Sequence, residues 1–155
     1  MAKLDDDVYQ VLRDGFAIPW VAGFRGDELQ YTVDRDPFVP PNTISTVMRQ
    51  LINDTLLLGA IEKCARSELK ALSPTFHINR KSETTGGYRL VASLKKVNTW
   101  IQHEPFTMIH LKDIVPHLRA GMHAVTLDIS SAYLHVPVAM ADRPYLGFCL
   151  GRPKF

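Results

Sequence analysis

Long apolar runs are missing from this sequence, and no stretch is long enough to span a bilayer as a helix. Cysteine is almost absent. Cys64 and Cys149 lie far apart and off any ligand spacing with the histidines, so neither a disulfide framework nor a zinc site is indicated. His77, His103, His110, His117, His123 and His135 form no HxH or HExxH pattern, and surface or structural roles suit them better than metal ligation. The opening "MAKLDDDVYQ" is acidic where a secretory signal would be basic and then apolar; the expectation is an intracellular protein, cytoplasmic or nuclear, with no membrane partner. There is no internal repeat and no low-complexity tract. "ETTGGYR" is glycine-rich but lacks the strand-to-helix setting of a phosphate loop, and reads as a hairpin tip.

What is present fits one ordinary globular domain. Of 155 residues, 46% are hydrophobic and 22% charged, enough for a core and too mixed for wholesale disorder. The net charge of +2 says little, but its distribution is uneven. Asp5, Asp6, Asp7, Asp14, Asp27, Glu28, Asp34 and Asp36 crowd the first 37 residues. Lys63, Arg66, Lys70, Arg80, Lys81, Arg89, Lys95 and Lys96 crowd residues 63–96. A local basic surface can bind a polyanion although the chain is nearly neutral; the plainer alternative is a solvated face.

Residues 1–41 read as a loop-rich N-terminal extension, with "DPFVPPN" a stiff connector. A helix follows, capped by Asn42 or Thr43, with Ile44, Val47, Met48, Leu51, Ile52, Thr55 and Leu56 at helical spacing and Gly59 just past its end. A second short helix is expected around 66–71. "TFHINR" and "YRLVASL" alternate in polarity around the turn-rich "SETTGG", which predicts a β-hairpin with Arg80, Lys81 and Arg89 near one end. Residues 111–119 suggest a short helix ended by Gly121, with Pro116 against it. The mixture predicts an α+β fold, divided into a middle region over 42–121 and a last region over 122–155.

Asp128 stands inside a β-type apolar run, "HAVTLDIS". Alternation puts Val125, Leu127 and Ile129 on one face and Asp128 on the other, at the end of an expected strand. Ser130 and Ser131 are placed to cap one helical turn through Ala132, Tyr133 and Leu134. "HVPVA" and "YLGFCLG" look strand-like. On its own, a single carboxylate of this kind is most simply a strand-end cap or a salt-bridge partner.

"LDISSAYLHVPV" resembles the first catalytic motif of reverse transcriptases. Upstream "LGAIE", "SPTFHINRKSETTGGYRLVASLKKVN" and "PFTMIHLKDIVPHLRAGM", and downstream "DRPYLGF", follow in the order such enzymes use through fingers and early palm. The resemblance covers residues 44–155 and is nearest to retrotransposon enzymes, of the tyrosine-recombinase (DIRS/Ngaro-like) kind. It implies a fingers β-hairpin with helices over 42–121 and the first strands of a polymerase palm over 122–155. It implies that Asp128 helps hold two Mg²⁺ ions with the Ile129 carbonyl as a further ligand, chemistry in which paired ions activate an attacking hydroxyl and stabilise the leaving group. It implies that Arg80 and Arg89, with Lys81 beside them, hold the triphosphate of a dNTP, for which the guanidinium fork is suited. Tyr133 takes the place of the aromatic residue that excludes a 2′-hydroxyl. The implied partners are an RNA or DNA template-primer and dNTP.

The sequence departs from the family pattern at Ser131, where many members carry an acid, at Ser93, where aspartate is frequent, and at Lys95, where arginine is frequent. The family's second carboxylate motif, an aromatic-x-Asp-Asp hairpin, does not occur within these 155 residues. The expectation is an N-terminal part of an RNA-directed DNA polymerase, inactive alone and completed by the remaining palm and thumb or by another chain. The alternatives are a non-enzymatic nucleic-acid-binding or assembly subunit of the same descent, and a decayed reading frame. Strands near 125–129 and 145–150 would then present unpaired edges.

Overall fold

The computed structural model describes residues 6–30, 32, 44–80, 87–123, 125 and 127–149, with backbone alone at positions 7 and 80. It mixes helices and strands, as an α+β reading requires. The first helix, α1 (Asp6–Asp14), falls in the stretch expected to be loop. Val8, Val11 and Leu12 give it one apolar stripe, and Arg13 sits in its last turn, where a cation suits the carbonyl end of the helix dipole. The acid-rich composition that suggests loop hides this short amphipathic pattern.

Helix α2 (Thr46–Leu57) forms where the spacing predicts it, but Ser45 is its cap: the Ser45 hydroxyl accepts from the Met48 N–H at 3.2 Å. Asn42 and Thr43, the expected caps, lie outside the described residues. Gly59 follows with φ +69°, the left-handed conformation that glycine adopts without penalty. The helix expected at 66–71 is a single 3₁₀ turn, Arg66–Glu68.

Strand β1 (Leu72–Ser73) precedes the hairpin of β2 (Thr75–Arg80) and β3 (Gly87–Ala92). The hairpin is antiparallel, with Phe76 opposite Val91, Ile78 opposite Arg89 and position 80 opposite Gly87. Helix α2 packs on β3, and an open groove between them is lined by Thr46, Val47, Gln50, Leu51 and Tyr88. Tyr88, itself 43% exposed, therefore marks the face turned toward α2. Phe76, Ile78 and Arg89 belong to the opposite face and are exposed.

A short helix α3 (Lys95–Asn98) carries Val97 into the core. The core is small. Leu29, Ala71, Val97 and Tyr145 are buried together, flanked by Trp20, Phe24, Leu94, Trp100, Ile101 and Leu146. Trp20 stacks on Phe24 at 4.2 Å between ring centroids, and Tyr145 meets Trp20 edge-on at 4.9 Å. Gly26, at φ +92°, lies against the Tyr145 hydroxyl, where any Cβ would overlap it. The Glu28 carboxylate, accepting from its own N–H and from those of Arg25 and Gly26, is held below its ordinary pKa and closes this turn.

Distant segments meet around this core. Asp142 is 9% exposed; one carboxylate oxygen accepts the Ile18 N–H and the other the Trp20 indole N–H, both at 2.8 Å. Strand β4 (Gly147–Phe148) pairs in parallel with β1, Leu72 opposite Gly147, so 147–148 is paired along one edge rather than left open as expected. The Ala71 and Lys70 N–H groups both donate to the Pro144 carbonyl, at 3.2 and 3.0 Å.

Between Ile101 and Val138 the chain leaves the core. Its base is closed by the segment 16–21: Gln102 N–H donates to the Pro19 carbonyl at 2.6 Å, and Phe16 N–H to the Pro137 carbonyl at 2.7 Å. Every residue whose exposure is described over 102–136 is exposed. It holds a short helix α4 (Leu111–Ile114), which passes into a 3₁₀ turn at Val115–His117 where Pro116 sits, and Gly121 follows at φ +83°. The strand expected at 125–129 is not formed among the described residues, and its apolar face is not buried: Val125 is 85% and Leu127 88% exposed. The physical reason is that alternation defines the face a strand would bury but supplies neither a ladder partner nor a surface beneath it.

Substituting Asp142→Ala is expected to lower stability by about 1–3 kcal/mol, since it strands the Ile18 and Trp20 donors, with Asp142→Asn costing less. Urea unfolding followed by tryptophan fluorescence measures this; an unchanged midpoint in the alanine variant would contradict the role given to the carboxylate.

Candidate functional site

The residues singled out in the sequence fall on two separate parts of the chain. Arg89 lies on β3 and is exposed, directly opposite Ile78. Position 80 ends β2 opposite Gly87, two residues along from Ile78, so positions 80 and 89 share the face that α2 leaves open. Lys81 lies outside the described residues. The hairpin thus brings Arg89 onto one face with position 80 and the apolar side chains Phe76 and Ile78.

Asp128, Ile129 and Tyr133 lie on the 102–136 excursion. Asp128 is exposed, Ile129 is 66% exposed and Tyr133 96% exposed. Among the described residues, no hydrogen bond, ion pair or ring contact engages the side chains of Asp128, Tyr133 or Arg89. The local backbone is nevertheless defined. Ala132–His135 form one 3₁₀ turn, and Ser131 before it has φ 54° and ψ 40°. The Leu134 N–H donates to the Ser131 carbonyl at 2.8 Å, and the His135 ring Nε2 lies 3.1 Å from the Ser130 carbonyl. Ser131 does occupy the cap position expected of it, but its side chain makes no capping bond.

The donor set can be tested against a pair of magnesium ions. Magnesium demands near-octahedral oxygen coordination, and a two-ion site shares several carboxylates and the substrate's phosphates. Asp128 is the one carboxylate of its turn, and among the described residues no group of three or more His, Cys, Asp or Glu stands close enough to hold a metal. These residues by themselves do not fit two ions. The arrangement does offer an exposed carboxylate and an exposed aromatic ring on one short turn, and a basic, partly apolar hairpin face elsewhere.

Two features escape a reading of the sequence. Asp142 opens "DRPYLGF", just before the strand-like "YLGFCLG"; an acid directly before Arg-Pro gives no sign of its role as acceptor for donors more than a hundred residues earlier. His135 carries no periodic signal at all. No helix among the described residues is long and apolar enough to cross a membrane. No family model, curated protein or solved structure matches the chain.

Because residues 102–136 lack a core, trypsin is expected to cut Arg119–Ala120 well before Lys70–Ala71 or Lys96–Val97, which sit against buried Ala71 and Val97. Timed digestion with mass spectrometry reads the order of cuts. Equal rates at the three bonds would overturn the distinction between excursion and core.

Proposed function

We propose that the chain is the fingers and opening-palm portion of an RNA-directed DNA polymerase of retrotransposon type. It would contact nucleotide and template-primer, and reach activity only with further palm carboxylates supplied by another segment or chain. The observation that carries the reading is the register of the hairpin. Its pairing sets positions 80 and 89 on one open face, two residues apart across the strands, upstream of "LDISSAY". Arg89 on such a face suits an anionic ligand with several phosphate oxygens, because its guanidinium presents a planar fork of donors. Phe76 and Ile78 on the same face add apolar surface on which a sugar or base can rest.

The division of labour follows from the chemistry of each group. Arg89 neutralises phosphate charge and fixes its position, the main requirement of phosphoryl transfer. Tyr133, with its ring almost wholly exposed, presents an edge that a ribose hydroxyl would meet. Asp128 contributes one carboxylate, which is too few for the two-ion chemistry on its own.

A second reading is favoured by two observations. The exposed apolar residues of 102–136 and the solitary Asp128 also suit an assembly subunit that binds nucleic acid through the hairpin without catalysis. The two readings share the hairpin surface and differ at Asp128.

Primer extension with Mg²⁺ and dNTPs on the 155-residue chain is expected to give no product. Templated synthesis abolished by Asp128→Asn would overturn that expectation. Filter binding of single-stranded RNA or DNA across a salt series is expected to show a steep slope. Arg89→Ala should reduce that slope by about 1, because one phosphate fewer is neutralised. A slope that the substitution leaves unchanged would remove the hairpin from the binding surface and the polymerase reading with it.

A further inference from the structure

We infer that His135 is a positioning residue for the Asp128–Tyr133 turn, holding its backbone through the Ser130 carbonyl; the inference rests on the polymerase reading of that turn. The starting point is Ser131. It is the one non-glycine residue with positive φ among the described residues, at φ 54° and ψ 40°. A side chain in that conformation is strained and persists only where its surroundings hold it.

Burial does not hold it, because the residues around it are exposed. Two hydrogen bonds do. One is the Leu134 N–H to the Ser131 carbonyl at 2.8 Å, which closes the 3₁₀ turn from within. The other spans the whole turn, from the His135 Nε2 to the Ser130 carbonyl at 3.1 Å. A carbonyl only accepts, so Nε2 carries the hydrogen. The Ser131 side chain, placed to cap the turn, makes no such bond, so the imidazole is the side chain that locks it.

The consequence for the site is geometric. Asp128 lies two residues before the clamped carbonyl, and Tyr133 two residues before the clamping ring. Reversing φ at Ser131 swings the chain on its two sides relative to each other, and so changes the angle between carboxylate and aromatic ring. His135 therefore acts on both without touching any ligand of either. An imidazole suits this because its planar ring holds Nε2 at fixed reach with few rotatable bonds. Of the common side chains, glutamine places an amide N–H at nearly the same reach.

Nuclear magnetic resonance on the isotope-labelled chain tests the inference. In the natural sequence Ser131 is expected to show the strong intraresidue amide-to-Hα contact of a positive φ, and Leu134 a slowed amide exchange. His135→Ala is expected to abolish the first and to speed Leu134 exchange roughly fivefold. It should also shift the Asp128 and Tyr133 resonances, while His135→Gln restores all three readouts. Unchanged Ser131 geometry and Leu134 exchange in His135→Ala would overturn the inference. So would failure of His135→Gln to restore them, since packing rather than the hydrogen bond would then be at work. Failure of the polymerase reading appears instead in the salt slope at Arg89, which His135 does not touch.

Discussion

A buried carboxylate holds this chain together. Asp142 accepts one hydrogen bond on each oxygen, from the Ile18 backbone and the Trp20 indole, at separations of 124 and 122 residues. A carboxylate withdrawn from water is costly unless its lone pairs are occupied, and here both oxygens have donors. The Trp20 ring so fixed stacks on Phe24 and meets Tyr145, and Tyr145 closes the core against Leu29, Ala71 and Val97. The same locking of 16–20 onto 137–145 closes the base of the 102–136 excursion. The parallel pairing of β1 with β4 is only two residues long and is flanked by the two bonds from Lys70 and Ala71 to the Pro144 carbonyl.

The structure therefore has two parts of very different support. One comprises the small core, the hairpin and α2, where alternating or periodic apolar residues find surfaces to cover. The other is the excursion, whose described apolar residues stay exposed, Val136 at its end lining a groove with Val8, Val11 and Leu12 of α1. Function is proposed to be divided along the same line. The supported hairpin carries Arg89, the residue proposed to hold a multiply charged ligand. The unsupported excursion carries Asp128 and Tyr133, whose mutual geometry is left to a short turn held by two hydrogen bonds.

Much of the first part is legible in the sequence. "TFHINR", "SETTGG" and "YRLVASL" contain both the period of a strand and the turn chemistry between strands, so a local rule suffices. The stripe from Val47 to Leu56 and the glycine at 59 define α2 equally well, with only the cap displaced to Ser45. What sequence reasoning misses depends on distant partners. The pairing of Leu72 with Gly147 and the acceptor role of Asp142 join residues whose local patterns say nothing of each other. The run at 125–129 fails in the opposite sense: its alternation is strong, yet a strand needs a neighbour, and none of the described strands lies beside it. Helix α1 is hidden by its acids, which obscure the spacing of Val8, Val11 and Leu12.

Hydrogen–deuterium exchange along the whole chain tests the central claim most directly, that a carboxylate-anchored core supports the hairpin while the excursion bearing Asp128 and Tyr133 stands free of it. The account predicts slow exchange at the β2–β3 ladder and at Ala71, Leu72 and Tyr145, and exchange near the unprotected rate across 103–136 except at Leu134 and the other hydrogen-bonded turn amides. Protection over 125–129 equal to that of the hairpin would contradict it.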